Sequence, residues 1–183
     1  DLTGGNERTV QVRGASSTII TIDGATLDMR GIAGGTTTVD AQTNAFSIAL
    51  SSSTLLAEYF AVENLVTNGF ELLASTTITT LADGLFTVTP GNTGMTIDAS
   101  TIDTNPASQF FRIDFATTSA GSANNISLTG TPSSFFWFRD GVQNLYGEAY
   151  DANDGNPGNI RWDDSNFEID ISGTVFSDVG VTT

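Results

Sequence analysis

The sequence predicts an all-β fold, most simply a right-handed parallel β-helix, and three observations carry that expectation. Apolar residues recur at every second position in short bursts: Val10 and Val12; Ile20 and Ile22; Phe46, Ile48 and Leu50; Phe86 and Val88; Met95 and Ile97; Phe111, Ile113 and Phe115. Such alternation buries one face of a strand and leaves the other in water. The bursts are separated by corners rich in Gly, Asn, Ser and Asp, such as Gly34-Gly35, Asn68-Gly69, Asp83-Gly84, Gly91-Asn92 and the run 121–125. They divide the chain into about fifteen strands, roughly eight to twelve residues apart. Finally, TIDGATLD at 21–28 and TIDASTID at 96–103 share one pattern at an offset of 75 residues. That offset holds three coils of about 25 residues each, a common size for a β-helical coil. A looser match, Glu58-Tyr59-Phe60 with Glu63 against Phe135-Phe136-Trp137 with Asp140, has an offset of 77. Short patterns recur by chance in a chain rich in Thr and Asp, so an antiparallel β-sandwich or jelly roll is the alternative.

In chain order, residues 1–9 form a polar, Gly-rich lead-in, residues 10–165 a single β-rich domain, and residues 166–183 a terminal strand suited to an inter-subunit role. Within the domain, LLAEYFAVENL at 55–65 has apolar spacing compatible with either a helix or a strand. Tyr59, Phe60 and Val62 favour the strand, and Asn68-Gly69 follows as a turn. Across 146–164 the alternation stops and Gly, Asn and Asp take over; it resumes at Phe167.

The composition excludes several chemistries. The 183 residues contain no Cys and no His, all six bases are Arg, and the net charge is −15. Disulfides, Ser-His and Cys-His dyads, zinc-histidine sites and lysine Schiff bases are therefore absent. The acidic charge repels phosphate backbones and anionic headgroups, so neither nucleic-acid binding nor membrane insertion is expected. No apolar run approaches the roughly 20 residues of a membrane-spanning helix. Asp1 reads as the start of a mature or excised segment. Scarce bases beside abundant Thr, Ser, Gly and Asn suit a secreted or cell-surface product.

Three constellations have the residue types for function. Asp151, Asn153, Asp154 and Asn156, followed by Asp163 and Asp164, place oxygen ligands around Gly155 as a loop does when it wraps a hard cation. Calcium is the cofactor expected there, through Asp151, Asn153, Asp154, Asp163 and Asp164. The loop departs from an EF-hand in the position of Gly155 and in having Trp162 where a closing Glu would stand. The plainer reading is a turn whose side chains bond their own backbone. Asp23 with Asp28, and Asp98 with Asp103, are the carboxylate pairs available for glycoside hydrolysis, although their alternation with Ile reads as a solvated outer face. Aromatic residues cluster at Phe110, Phe111 and Phe115 and at 135–138. Neighbours on a strand point to opposite faces, so part of the second cluster faces outward, for sugar stacking or for an interface. Trp137 is expected in a packed layer or an interface rather than in a sugar site.

The segment 134–183, with WFRDGVQNLYGEAYDANDGNPGNIRWDD and then ISGTVFSDVGVTT, resembles stretches of very large repetitive secreted and cell-surface proteins of environmental bacteria. In these a β-helical block runs out into an Asp/Gly/Asn loop and a linking strand. The resemblance implies a surface or matrix protein and carries over no catalytic residue. Taken with the residues, it leads us to expect a non-enzymatic extracellular structural or adhesive protein, a self-assembling filament or surface-layer subunit. The partner expected is the chain itself, by strand addition through Phe167, Ile169, Ile171 and Val175 onto Val10 and Val12, with a surface polysaccharide as a further partner. The alternative is a carbohydrate-binding or carbohydrate-degrading β-protein.

Overall fold

The computed structural model describes residues 8–13, 18–41, 44–155 and 158–163. They form β1 (Arg8–Val12), β2 (Thr18–Asp23), β3 (Thr26–Arg30), β4 (Thr37–Ala41), β5 (Phe46–Ser51), β6 (Thr54–Leu72), β7 (Thr77–Val88) and β8 (Thr93–Asp98). A short helix α1 (Ala99–Thr104) follows, then β9 (Ser108–Thr117), β10 (Asn124–Thr129), β11 (Phe136–Arg139), a 3₁₀ turn at Glu148–Tyr150 and β12 (Ile160–Asp163). All pairings between these strands are parallel. The coils stack into a β-solenoid of about five turns. The 55–65 stretch is strand, within β6.

The strands line three faces. The first holds β1, β4, the middle of β6, and the second halves of β7 and β9. The second holds β2, β5, the end of β6, β8 and β10. The third holds β3, the starts of β6, β7 and β9, then β11 and β12. Among the described residues there are twelve strands, because β6, β7 and β9 each continue around a corner. The turning residues there, Tyr59, Asp83 and Arg112, all have positive φ, and Asp140 turns the chain after β11 in the same way. One left-handed residue redirects a strand without breaking its hydrogen-bonding rhythm.

Parallel stacking puts like positions above one another, so the interior is a set of columns. On the first face Val10, Val39, Val62, Phe86 and Phe115 stand in register. On the second, Ile20, Ile48, Phe70, Met95 and Ile126 form one column, and Ile22, Leu50, Leu72, Ile97 and Leu128 another. On the third, Phe110, Phe138 and Trp162 align. The later coils are aromatic: Phe86 lies 5.4 Å from both Phe70 and Phe115, and Phe138 stacks on Trp162 at 5.0 Å. Where Phe60 crowds the column, its partner is Gly84, at which any Cβ would fall 2.2 Å from the Phe60 ring.

Backbone groups at the corner between the second and third faces are satisfied by buried hydroxyls. Ser53 Oγ donates to the carbonyls of Ile22 or Ser51, Thr76 Oγ1 to Leu73 (2.7 Å), and Thr101 Oγ1 to Leu73 (2.9 Å). Asn105 closes this run: its amide donates to the carbonyls of Thr76 and Thr101, and its oxygen accepts from Ile78 N, all at 2.8 Å. An unpaired carbonyl or amide in such a position costs about 1–3 kcal/mol, which explains four polar side chains inside an apolar stack.

Candidate functional surfaces

The acidic loop sits at the end of the stack away from β1, and its side chains serve different neighbours. Asp154 accepts from Asn159 N (2.9 Å) and Ile160 N (2.7 Å), holding the turn that leads into β12. Asp151 accepts from Trp162 Nε1 at 3.0 Å, and Asn153, at positive φ, donates its amide to Ser127 Oγ at 3.0 Å. Asp163 pairs in β12 with Arg139 of β11, and Asp164 lies outside the described residues. Among the described residues no group of three or more carboxylates converges as a metal would require.

The charges of this loop act on one another. Burial, with smaller contributions from Asp151 and Asp154 and an opposing one from Arg161, pushes Glu148 up to about 6. Its Oε2 is buried without a hydrogen-bond partner. Asp151 is also raised, by burial first, with the Trp162 hydrogen bond opposing. Burial thus opposes ionisation of both Glu148 and Asp151 where the loop meets Trp162.

The carboxylate pairs separate. Asp23 is exposed. Asp28 bonds the Arg30 guanidinium at 2.6 and 2.9 Å, and that bond holds it below the usual carboxylate range. Asp98 caps α1 by accepting from Ser100 N (2.9 Å), and Asp103 accepts from the amide and hydroxyl of Ser133 (both 2.8 Å). Asp28, Asp98 and Asp103 thus each hold local structure.

The aromatic clusters divide between inside and outside. Phe110, Phe115, Phe136 and Phe138 are buried. Phe111, Phe135 and Trp137 are half-buried on the outer side of the third face, beneath two guanidinium groups. Arg161 lies 3.9 Å over the Phe135 ring, and Arg139 lies 5.5 Å over Trp137 and 5.6 Å over Phe111. Trp137 is thus part of a packed surface layer, and a sugar ring approaching those faces would have to displace an arginine. Beside it a shallow depression of about 290 Å³ runs over Thr80 and Ala82 towards Gln109 and Phe111.

A larger groove, about 490 Å³, crosses the outer side of the first face over Thr38, Ala61 and Leu85, with Glu63, Asp114 and the Asp83–Arg112 ion pair along its sides. Burial, then the charge of Asp40, raises Glu63. Asp114 is tied to the amides of Val142 (2.7 Å) and Gln143 (3.3 Å), so the groove offers one unengaged acid rather than a working pair.

The remaining surface is the open side of the first coil. Val10 is 37% exposed, although it occupies the column in which Val39 is 5% and Val62 0% exposed. Val12, Ile20, Ile22 and Leu27 are likewise only half-buried, whereas their counterparts Ile48, Leu50 and Leu55 are buried. Among the described residues no helix stands over this end. Phe167, Ile169, Ile171 and Val175, the other half of the expected inter-subunit contact, lie outside the described residues.

Sequence reasoning passed over the residues with most structural work, Thr76, Thr101, Asn105 and Asn125. Asn125 is fully buried and donates to the carbonyls of Leu145 (2.8 Å) and Gly147 (3.0 Å). Their positions share no single signal: Thr76 just precedes β7 and Asn125 is the second residue of β10, whereas Thr101 lies within α1 and Asn105 caps it. Comparisons of this chain with protein-family models, with characterised proteins and with solved structures return no match.

Proposed function

We propose that this chain is a non-enzymatic structural or adhesive unit of a secreted or cell-surface assembly, built by extending its solenoid. The observation that carries the reading is the open first coil. Val10, Val12, Ile20, Ile22 and Leu27 are left half in water at one end, although their partners in the next coil, Val39, Ala41, Ile48, Leu50 and Leu55, are buried. Of the acids that suggested catalysis, Asp28 is ion-paired, Asp98 caps a helix and Asp103 bonds the next coil, which suits a scaffold. Resemblance of segment 134–183 to repetitive surface proteins points the same way.

The test is negative-stain microscopy of the purified chain beside an assay for sugar release from acidic and neutral polysaccharides. Ordered filaments or sheets with no sugar release are expected. Dispersed particles that release reducing or unsaturated ends would overturn the reading. The carbohydrate-binding alternative draws on one feature, the outward layer of Phe111, Phe135 and Trp137 beside its shallow depression. Retention on a polysaccharide column that is lost in Trp137→Ala, without any change in melting, would favour it.

A further inference from the structure

We infer that the groove on the outer side of the first face binds a linear, uncharged polysaccharide; this rests on the reading of the chain as a non-enzymatic surface unit, and names what such a unit would adhere to. The floor of the groove runs across the strands, through the aligned residues Thr38, Ala61, Leu85 and Asp114 of β4, β6, β7 and β9. Neighbouring strands lie about 4.8 Å apart, which makes the floor about 14 Å long. Its volume of about 490 Å³ is that of an ordinary ligand site. An open trough of this shape suits a chain that passes through it.

The lining suits sugars. Ala61 and Leu85 form an apolar strip, and hydroxyl, carboxyl and guanidinium groups stand beside it on Thr38, Glu63 and Arg112. Donors and acceptors are both present, as the hydroxyl rims and CH faces of linked rings require. Little fixed charge is left to hold an ionic ligand. Arg112 is paired with Asp83 through two hydrogen bonds, and one oxygen of Asp114 is held by the amides of Val142 and Gln143. Burial, then the charge of Asp40, pushes Glu63 up towards its neutral form, in which a carboxyl group donates as well as accepts. The net charge of −15 repels acidic polymers. Hydrolysis needs two carboxyl groups free to act, and the groove has only Glu63.

A peptide fits less well. Here β6 is hydrogen-bonded to β4 and β7, and β7 to β6 and β9, so the floor has no ladder edge onto which a strand could add. Recognition falls to side chains, which suits a ligand rich in its own hydroxyls. The aromatic layer of Phe111 and Trp137 lies under Arg139, whereas Leu85 is half open to the groove.

The experiment titrates the full chain by isothermal calorimetry with soluble β-glucan, mannan and dextran as neutral probes, and with polygalacturonate, chitosan oligosaccharide and an oligolysine peptide as charged ones. Binding to at least one neutral probe, little changed by salt, is expected, with none to polygalacturonate. Leu85→Arg lays a long charged side chain across the floor and should abolish binding. Glu63→Ala should weaken it about tenfold, whereas Glu63→Gln, which keeps a donor and an acceptor, should bind like wild type. Circular dichroism melts check that each variant folds, and the two Glu63 variants carry the test if Leu85→Arg does not. Trp137→Ala should leave binding unchanged. Failure to bind any neutral probe, binding to chitosan or oligolysine alone, or binding that survives Leu85→Arg and is lost in Trp137→Ala would overturn the inference. A chain that binds no glycan yet forms filaments overturns the groove's role alone, whereas a neutral glycan that is bound and cut overturns the non-enzymatic reading.

Discussion

Replacing Asp154 with alanine separates the two roles an acidic loop can have. Asp154 holds the turn before β12 through Asn159 N at 2.9 Å and Ile160 N at 2.7 Å. Hydrogen bonds to a charged group contribute about 1.5–3 kcal/mol each. Water recovers part of this where the turn is open, so the expected loss is about 2–4 kcal/mol. In a chain of this length about 1 kcal/mol shifts the melting temperature by about 2–4 °C, which predicts a fall of roughly 5–15 °C. The assay is a thermal melt by circular dichroism at fixed pH, once in chelator and once in excess calcium. If the carboxylate serves the turn, the variant loses the same amount in both. If wild type in chelator falls to the variant's melting point and the variant ignores calcium, Asp154 is a metal ligand and the hydrogen-bond reasoning is refuted. Gly158→Ala is an independent check, because a Cβ there would stand 2.2 Å from the Asp154 carboxylate; it should weaken the same turn.

Three further outcomes follow from burial and hydrogen bonding. Asn105→Ala strips partners from Ile78 N and from the carbonyls of Thr76 and Thr101 and should cost about 3 kcal/mol or more in urea denaturation. Along the first-face column the cost of truncation should rise inward: under about 1 kcal/mol for Val10→Ala, more for Val39→Ala and Val62→Ala, and about 3–5 kcal/mol for Phe86→Ala. Equal costs at both ends would contradict the open-end reading. Glu148 is raised from 4.5 to about 6 in the folded chain, so the folded state holds this proton more tightly than the unfolded one. Its contribution to stability is full below about 4.5 and lost as the pH rises through about 6. Glu148→Gln should flatten that fall and raise stability at neutral pH by about 1 kcal/mol after solvent screening.

The fold was legible because parallel stacking leaves a signature at long range as well as locally. Thr21 pairs with Ala49, Ala49 with Glu71, and Glu71 with Thr96, so the 75-residue repeat is three coils in true register. The 77-residue match is not: Glu58 aligns through Ala82 and Phe111 with Arg139. Coil length blurs such repeats, with 22 residues between Ile48 and Phe70 but 31 between Met95 and Ile126, where α1 is accommodated. Corners were harder to see. Left-handed φ falls on Tyr59 and Arg112 as well as on Asp83 and Asp140, and the first two residue types carry no turn signal. A corner also resets the alternation, so Phe111, Ile113 and Phe115 look like one run although Phe111 faces outward and the other two inward.

The candidate sites were less legible, for a reason the repeated motif makes plain. Asp23 and Asp98 occupy the same place in TIDGATLD and TIDASTID, and in both the strand ends there. After Asp23 a Gly at positive φ turns the chain straight into β3, where Asp28 meets Arg30. After Asp98 the residues are Ala and Ser, the chain winds into α1 under an Asp98 cap, and from within the helix the Asp103 side chain holds Ser133 of the following coil. One spacing of carboxylates thus serves an ion pair within a coil in one instance and a bond between coils in the other. What separates the two is the glycine, since only a residue without a Cβ takes the left-handed turn at no cost. Carboxylate spacing alone is therefore no guide to role among these residues, because one spacing is put to two different structural uses.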